Sequence, residues 1–164
     1  MLNVWSVPKA SLLPAVILGS LVLFTYSTLQ NYGPESTLRK FHSAVHNIYQ
    51  TQLNSKGKGN TVSKSDWSVL QSTLEEDIGS LDNANEPANP QAIALIDSVI
   101  AQFQMGKAYS LARMDRRPRE VHIVVQYIKD PVPTIQTVWV IDKPLGGRAW
   151  KISARKTLSA LTEP

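Results

Sequence analysis

The stretch from Ala10 to Tyr32, ASLLPAVILGSLVLFTYSTLQNY, holds no Asp, Glu, Lys or Arg. This constrains the chain more than any other feature in it. At about 1.5 Å of rise per residue, a helix from Ala10 to Leu29 crosses a hydrocarbon core of about 30 Å. Ser11, Ser20, Thr25, Ser27 and Thr28 are tolerated in such a helix because each hydroxyl can bond back to a carbonyl one turn earlier. Pro14 falls in the first turns, where its missing N–H matters least. Trp5 on one side, and Tyr26 and Tyr32 on the other, suit the two membrane interfaces. Lys9 and the amino terminus are the positive charges ahead of the run, and the tail before it is short. The expected organisation is therefore a short cytoplasmic tail over 1–9, a transmembrane anchor over 10–32, and an extracytoplasmic domain over 33–164. The expected location is the cell membrane, single-pass. Secretion after signal cleavage is the alternative, although its best small-residue site, Thr25-Tyr26-Ser27, departs from the A-x-A pattern.

The residues after the anchor suffice for one domain with its own core. Cysteine is absent. That excludes disulfides, thiolate zinc sites, a cysteine nucleophile and a lipidated N-terminal cysteine. The net charge of +4 is unevenly placed: residues 34–104 carry 5 basic and 8 acidic side chains, residues 105–164 carry 11 and 5. A basic C-terminal half reads either as solvated strand faces or as a surface for an acidic partner.

Gly33-Pro34-Glu35 reads as a helix start, with proline preset for the first turn and an acid at the positive end. Leu38, Phe41, Val45 and Ile48 then recur at helical spacing, predicting a helix to about Leu53. Asn54–Asn60, NSKGKGN, is a polar loop whose spacing does not fit a phosphate loop. Ser63 and Asp66 suggest a capped second helix with Trp67, Leu70, Leu74 and Ile78 as its stripe and Gly79 at its end. A third helix follows from Gln91 through Phe103. After Gly106 the period changes. Lys107–Met114, Glu120–Lys129, Thr134–Asp142 and Arg148–Thr157 read as strands, with turns at 115–118, 130–133 and 144–147. The expected fold class is α+β: an N-terminal transmembrane helix, then three helices packed on a four-stranded antiparallel meander with one face more polar.

Three helices and then a meander, opening with PESTLRKFHSAV and closing with the tryptophan-led AWKISARKTL, resembles the nuclear-transport-factor-2-like cone among the cystatin-like α+β rolls. The resemblance runs from about Gly33 to Ser159. It implies a helix over a curved sheet and a cone interior, where enzymes of that superfamily place acid, tyrosine or histidine side chains. No such motif matches this sequence residue by residue. The layout is also similar to single-pass bacterial proteins that hold such a domain outside the membrane, including scaffold subunits of type IV secretion systems. Type IV pilins share a hydrophobic N-terminal helix and a four-stranded sheet, but their glycine-phenylalanine processing site and following glutamate are missing here.

Candidate residues follow from chemistry. Tyr109, His122 and Tyr127, with Asp97, would form the polar lining of a cone pocket, and a general acid–base pair would need two such groups within reach of a substrate. Arg113, Arg116, Arg117 and Arg119 cluster around the first hairpin turn, where forked guanidiniums suit a carboxylate or phosphate. Aromatic residues do not interleave them, so nucleic acid is not an expected partner. His42 and His46 are spaced i, i+4, which lets two imidazoles meet one metal, but no acid stands between them and His122 is distant. They read as residues at the edge of the buried stripe, and no metal or cofactor is expected. Trp67, Trp139 and Trp150 read as core or sheet-face aromatics. Glu75-Glu76-Asp77 is oddly acidic for the C-terminal end of a helix. No catalytic motif stands out. The expected function is a noncatalytic interaction or assembly domain at the membrane, with a protein partner or a second copy on the sheet or the hairpin arginines. The alternative is a small-molecule-binding or enzymatic cone that uses an interior pocket.

Overall fold

A computed structural model describes residue 20 and residues 33–54, 62–81, 88–145 and 149–162. Apart from residue 20, the expected anchor lies outside the described residues, as do the 54–60 loop beyond its first residue and most of the 80–90 loop. Among the described residues, no helix is long and apolar enough to cross a membrane.

Among the described residues the domain is α+β, with four helices and one four-stranded antiparallel sheet. Helix α1 spans Pro34–Asn54, α2 Lys64–Thr73 and α3 Pro90–Gln104. Strands β1 (Ala108–Arg116), β2 (Glu120–Lys129), β3 (Val132–Asp142) and β4 (Lys151–Ile152) follow, and α4 spans Ala154–Thr162. The sheet order is β1-β2-β3-β4, so it is the expected meander.

Each element begins where local chemistry allows. In α1, Pro34 occupies the first turn and the Gly33 carbonyl accepts from Thr37 N–H at 3.1 Å. The stripe Leu38, Phe41, Val45 and Ile48 is buried, as its spacing predicts. In α3, the Asn89 side chain accepts from the backbone N–H of Gln91 at 2.9 Å and of Ala92 at 3.4 Å, capping the helix ahead of Pro90. In β2, Val121, Ile123, Val125 and Tyr127 are buried while their neighbours are half-buried, the period of two that one covered face requires. The register sets Val121 against Ile141, Ile123 against Trp139, and Val125 against Thr137. That inner face meets the apolar sides of α1, α2 and α3 in one continuous core.

Two expectations are corrected. The second helix stops at Thr73, not near Gly79. Leu74 turns extended at φ −88° and ψ 149°, and Glu75 N–H donates to the Ile152 carbonyl at 2.9 Å. Leu74 and Ile78 remain buried but outside the helix, Leu74 in extended backbone bridged to Ile152 of β4 and Ile78 beyond a bend at residues 75–76. Pairing with β4 overrides the helical spacing. Nor does the Ser63 side chain cap α2; its hydroxyl lies 2.7 Å from that of Ser65, while Asp66 accepts from Asn47 Nδ2 at 3.1 Å and ties α2 to α1.

The last strand is only Lys151–Ile152, and Ala154–Thr162 is helix. A short alternation such as Trp150, Ile152, Ala154 does not separate strand from helix, and Ala154, Thr157 and Leu158 also fit one helical face. The oddly placed acid decides it. Glu76 accepts from Ala154 N–H at 2.8 Å and Arg155 N–H at 3.0 Å, supplying the N-terminal cap from a distant segment. Helix α4 then lies along the β3 edge: Ser153 N–H donates to the Val140 carbonyl at 3.0 Å, and Val140 N–H donates to Thr157 Oγ1 at 3.1 Å. These bonds satisfy edge groups that β4 is too short to reach. Lys156 reaches from α4 to Glu120 at 2.9 Å and Asp142 at 2.7 Å, the cross-strand carboxylates of β2 and β3.

Replacement Glu76→Ala is expected to cost about 1–2 kcal/mol, the range of a lost helix cap. Equilibrium urea unfolding measures it. A midpoint indistinguishable from wild type would contradict the capping role.

Candidate functional site

His42 is fully buried on α1, one turn after Leu38 and beside Phe41. A histidine there requires both ring nitrogens to be satisfied. Nδ1 lies 3.0 Å from the Leu38 carbonyl, which only accepts, so Nδ1 carries the proton. Nε2 lies 2.8 Å from the Tyr127 hydroxyl and accepts from it. The ring is therefore neutral. Burial pushes its pKa down to about 4, against a smaller upward pull from the Leu38 carbonyl. Burial also pushes the Tyr127 phenol well above its ordinary range, with Tyr109 adding to the rise. The His42 ring stacks on Tyr109 at 4.3 Å between centroids and tilts against Trp139 at 4.8 Å. Trp139 Nε1–H donates to Thr137 Oγ1 at 2.8 Å.

Tyr109 and Tyr127 are a cross-strand pair on the inner face, so the structure brings these two candidates together and adds His42. His122 is not with them. It lies on the outer face, where Nε2–H donates to Glu120 Oε1 at 2.6 Å. Asp97 is exposed on α3. The i, i+4 pair is also divided: His42 is inside with both nitrogens engaged, while His46 is exposed with its ring edge-on to Phe103 at 5.0 Å. Among the described residues, no group of three histidine or acidic side chains could hold a metal ion.

The hairpin arginines do not converge. Arg113 pairs with Val124 and Arg116 with Val121, so they project to opposite faces of β1. Arg117 is shared between Asp115 at 3.7 Å and Glu120 at 3.6 Å. Arg116 Nε–H donates to Met114 Sδ at 3.1 Å. Trp139 is core, whereas Trp67 and Trp150 pack on its margin.

The inner aromatic group opens into a cleft of about 680 Å³. α1 forms one wall through His42, Ser43, His46, Tyr49, Gln50 and Leu53. Phe103 from the end of α3 and the start of the sheet from Gly106 to Tyr109 form the other. That volume suits a drug-sized molecule. Tyr127 instead borders a smaller space of about 190 Å³ between α3 and β3. Sequence reasoning named Tyr109 and Tyr127 as pocket lining, and of these Tyr109 lines the cleft. It missed His42 as the group between them, although its position beside Phe41 and four residues after Leu38 sets it on the widened buried stripe. Among the described residues, no carboxylate lines either space. A general acid–base pair works best with pKa values near the operating pH. His42 and Tyr127 are displaced in opposite directions from that range and bonded to each other.

No family model, curated protein or solved structure matches this chain.

The buried neutral histidine makes stability depend on pH. Its folded pKa of about 4 lies below the ordinary 6.5, so its contribution is complete above about pH 6.5 and is lost as pH falls toward 4. The loss approaches about 3 kcal/mol over that window. Glu120, held below the ordinary carboxylate range by hydrogen bonds from Lys156 and His122, adds a loss only at lower pH. Urea midpoints measured between pH 7 and 4.5 are expected to fall steadily in wild type. His42→Gln, which keeps a donor and an acceptor but no titrating ring, should remove most of that slope. An equal slope in both proteins would show that His42 is not buried as a neutral ring.

Proposed function

We propose that this chain is a membrane-tethered binding domain without catalytic activity, built on the nuclear-transport-factor-2-like plan. Residues 10–32 hold it in the membrane with the folded part outside the cytoplasm, and the cleft beside α1 seats its ligand or partner. The observation that carries this reading is the cleft itself: large, open and mostly apolar, with aromatic walls and, among the described residues, no lining carboxylate. A ligand site needs such concavity together with a few placed polar groups. An enzyme site needs in addition two convergent groups able to exchange protons near neutral pH, and the His42–Tyr127 pair is unsuited to that. The order of helices ahead of an antiparallel meander supports the family plan, and the uncharged stretch in the sequence supports the tether.

The cleft can be closed without touching the core. Ser43 is exposed on α1 and lines the cleft, so Ser43→Trp fills it from the solvent side. A panel of small molecules screened by thermal shift on the full chain is expected to yield compounds that raise Tm in wild type and not in Ser43→Trp. Compounds that stabilise both proteins equally would set the binding site elsewhere. Protease digestion of membrane vesicles of known sidedness tests the topology: residues after 33 should be cut only from the non-cytoplasmic side.

A further inference from the structure

Among the described residues, Lys107 is the one lysine or arginine lining the cleft, and the residue is 4 % exposed. Lysine is among the residues least often buried, because its ammonium must keep water or an anion beside it. Lys107 has no hydrogen-bond or ion-pair partner for its side chain among the described residues. Its position is set by the turn from α3 into β1. Gly106 takes φ +70° and donates its N–H to the Phe103 carbonyl at 2.8 Å, while Lys107 N–H donates to the Gln102 carbonyl at 3.1 Å. Alternation from Tyr109 then puts Lys107 on the inner face, beneath α1.

A lysine beside a helix C-terminus commonly serves the exposed carbonyls there. That position is already filled, because Lys129 Nζ donates to the Met105 carbonyl at 2.7 Å. Lys107 Nζ is not among the buried side-chain atoms left without a partner, so the small part of the residue that stays exposed includes its ammonium, on a cleft with aromatic walls and, among the described residues, no acidic lining side chain. The rings of Tyr49, Phe103 and Tyr109 line the same space. We propose that the cleft takes a flat apolar molecule carrying a single carboxylate, with the carboxylate on Lys107 and the rings against Tyr49, Phe103 and Tyr109. A monoanion suits the site better than a phosphate dianion. Among the described residues a single basic side chain lines the cleft, and the adjoining α3 C-terminus contributes negative potential. This assignment rests on reading the cleft as a binding site.

The test is calorimetric titration of the full chain in lipid nanodiscs, with empty nanodiscs as the blank. The probes are 2-naphthoate and 2-naphthamide, which share shape and differ in charge. The expected result is naphthoate binding at least about 10-fold tighter than the amide, the scale of one charge-assisted contact. Lys107→Met keeps the apolar stem and should bring naphthoate to the affinity of the amide, leaving the amide unchanged. Equal affinities in wild type, or a preference that survives Lys107→Met, would overturn the assignment. Equal affinities that both vanish in Ser43→Trp would overturn the carboxylate and leave the cleft as a binding site. Binding untouched by Ser43→Trp would overturn the cleft as well. No binding of either probe at millimolar concentration would overturn the carboxylate proposal, while the compound panel decides the cleft separately. The wild-type comparison needs no variant, so it stands even where a substitution prevents folding.

Discussion

Everything near the cleft depends on a neutral imidazole buried between α1 and the sheet. A buried polar ring without partners would weigh against folding by about 1–3 kcal/mol. Here the Leu38 carbonyl fixes the proton on Nδ1, which leaves Nε2 to accept from Tyr127. The bond joins α1 to β2 at one point and fixes the height of the helix over the strands. Stacking on Tyr109 and contact with Trp139 then fix the ring's orientation. Phe41, whose ring centroid lies 5.4 Å from that of Trp139, continues the same packing. Beyond this group the helix continues past the covered part of the sheet toward Leu53. The cleft is the space left between that overhang and the turn after α3.

The other end of the domain is held differently. There the inner face is apolar and the staples are charged. Glu76 caps α4 across a long sequence separation, and Lys156 bridges two carboxylates that would otherwise repel across β2 and β3. These contacts lock α4 along the β3 edge. The domain thus has one end closed by polar bonds and another end where aromatic walls stand apart. We read that second end as the part that works.

Much of this was legible in the sequence. Regular apolar spacing located α1, α3 and β2 within a residue or two, because each buries a single face whose period is undisturbed. The errors came where a distant partner decides the local structure. Leu70, Leu74 and Ile78 keep helical spacing, yet the last two lie past the helix end, where Leu74 and Glu75 bond to β4 and the chain bends before Ile78. Ala154 to Thr162 alternates at its start, yet a carboxylate 78 residues earlier caps it as a helix. At the site, Tyr109 and Tyr127 could be nominated as inward strand residues, and the strand register then paired them. His122 failed for the same period-two reason, since it falls one step out of phase with Tyr127. Lys107 carried no sequence signal. Its burial follows from the turn at Gly106 and from α1 passing above it, and neither is local.

The central claim is that this domain binds through the cleft beside α1. The most direct measurement is where a bound molecule lies. Intermolecular nuclear Overhauser effects between the ring protons of 2-naphthoate and the aromatic protons of the full chain would show this. The account predicts effects to Phe103, Tyr49 and Tyr109. Effects confined to the outer sheet face, around Val124 and Val138, would contradict it.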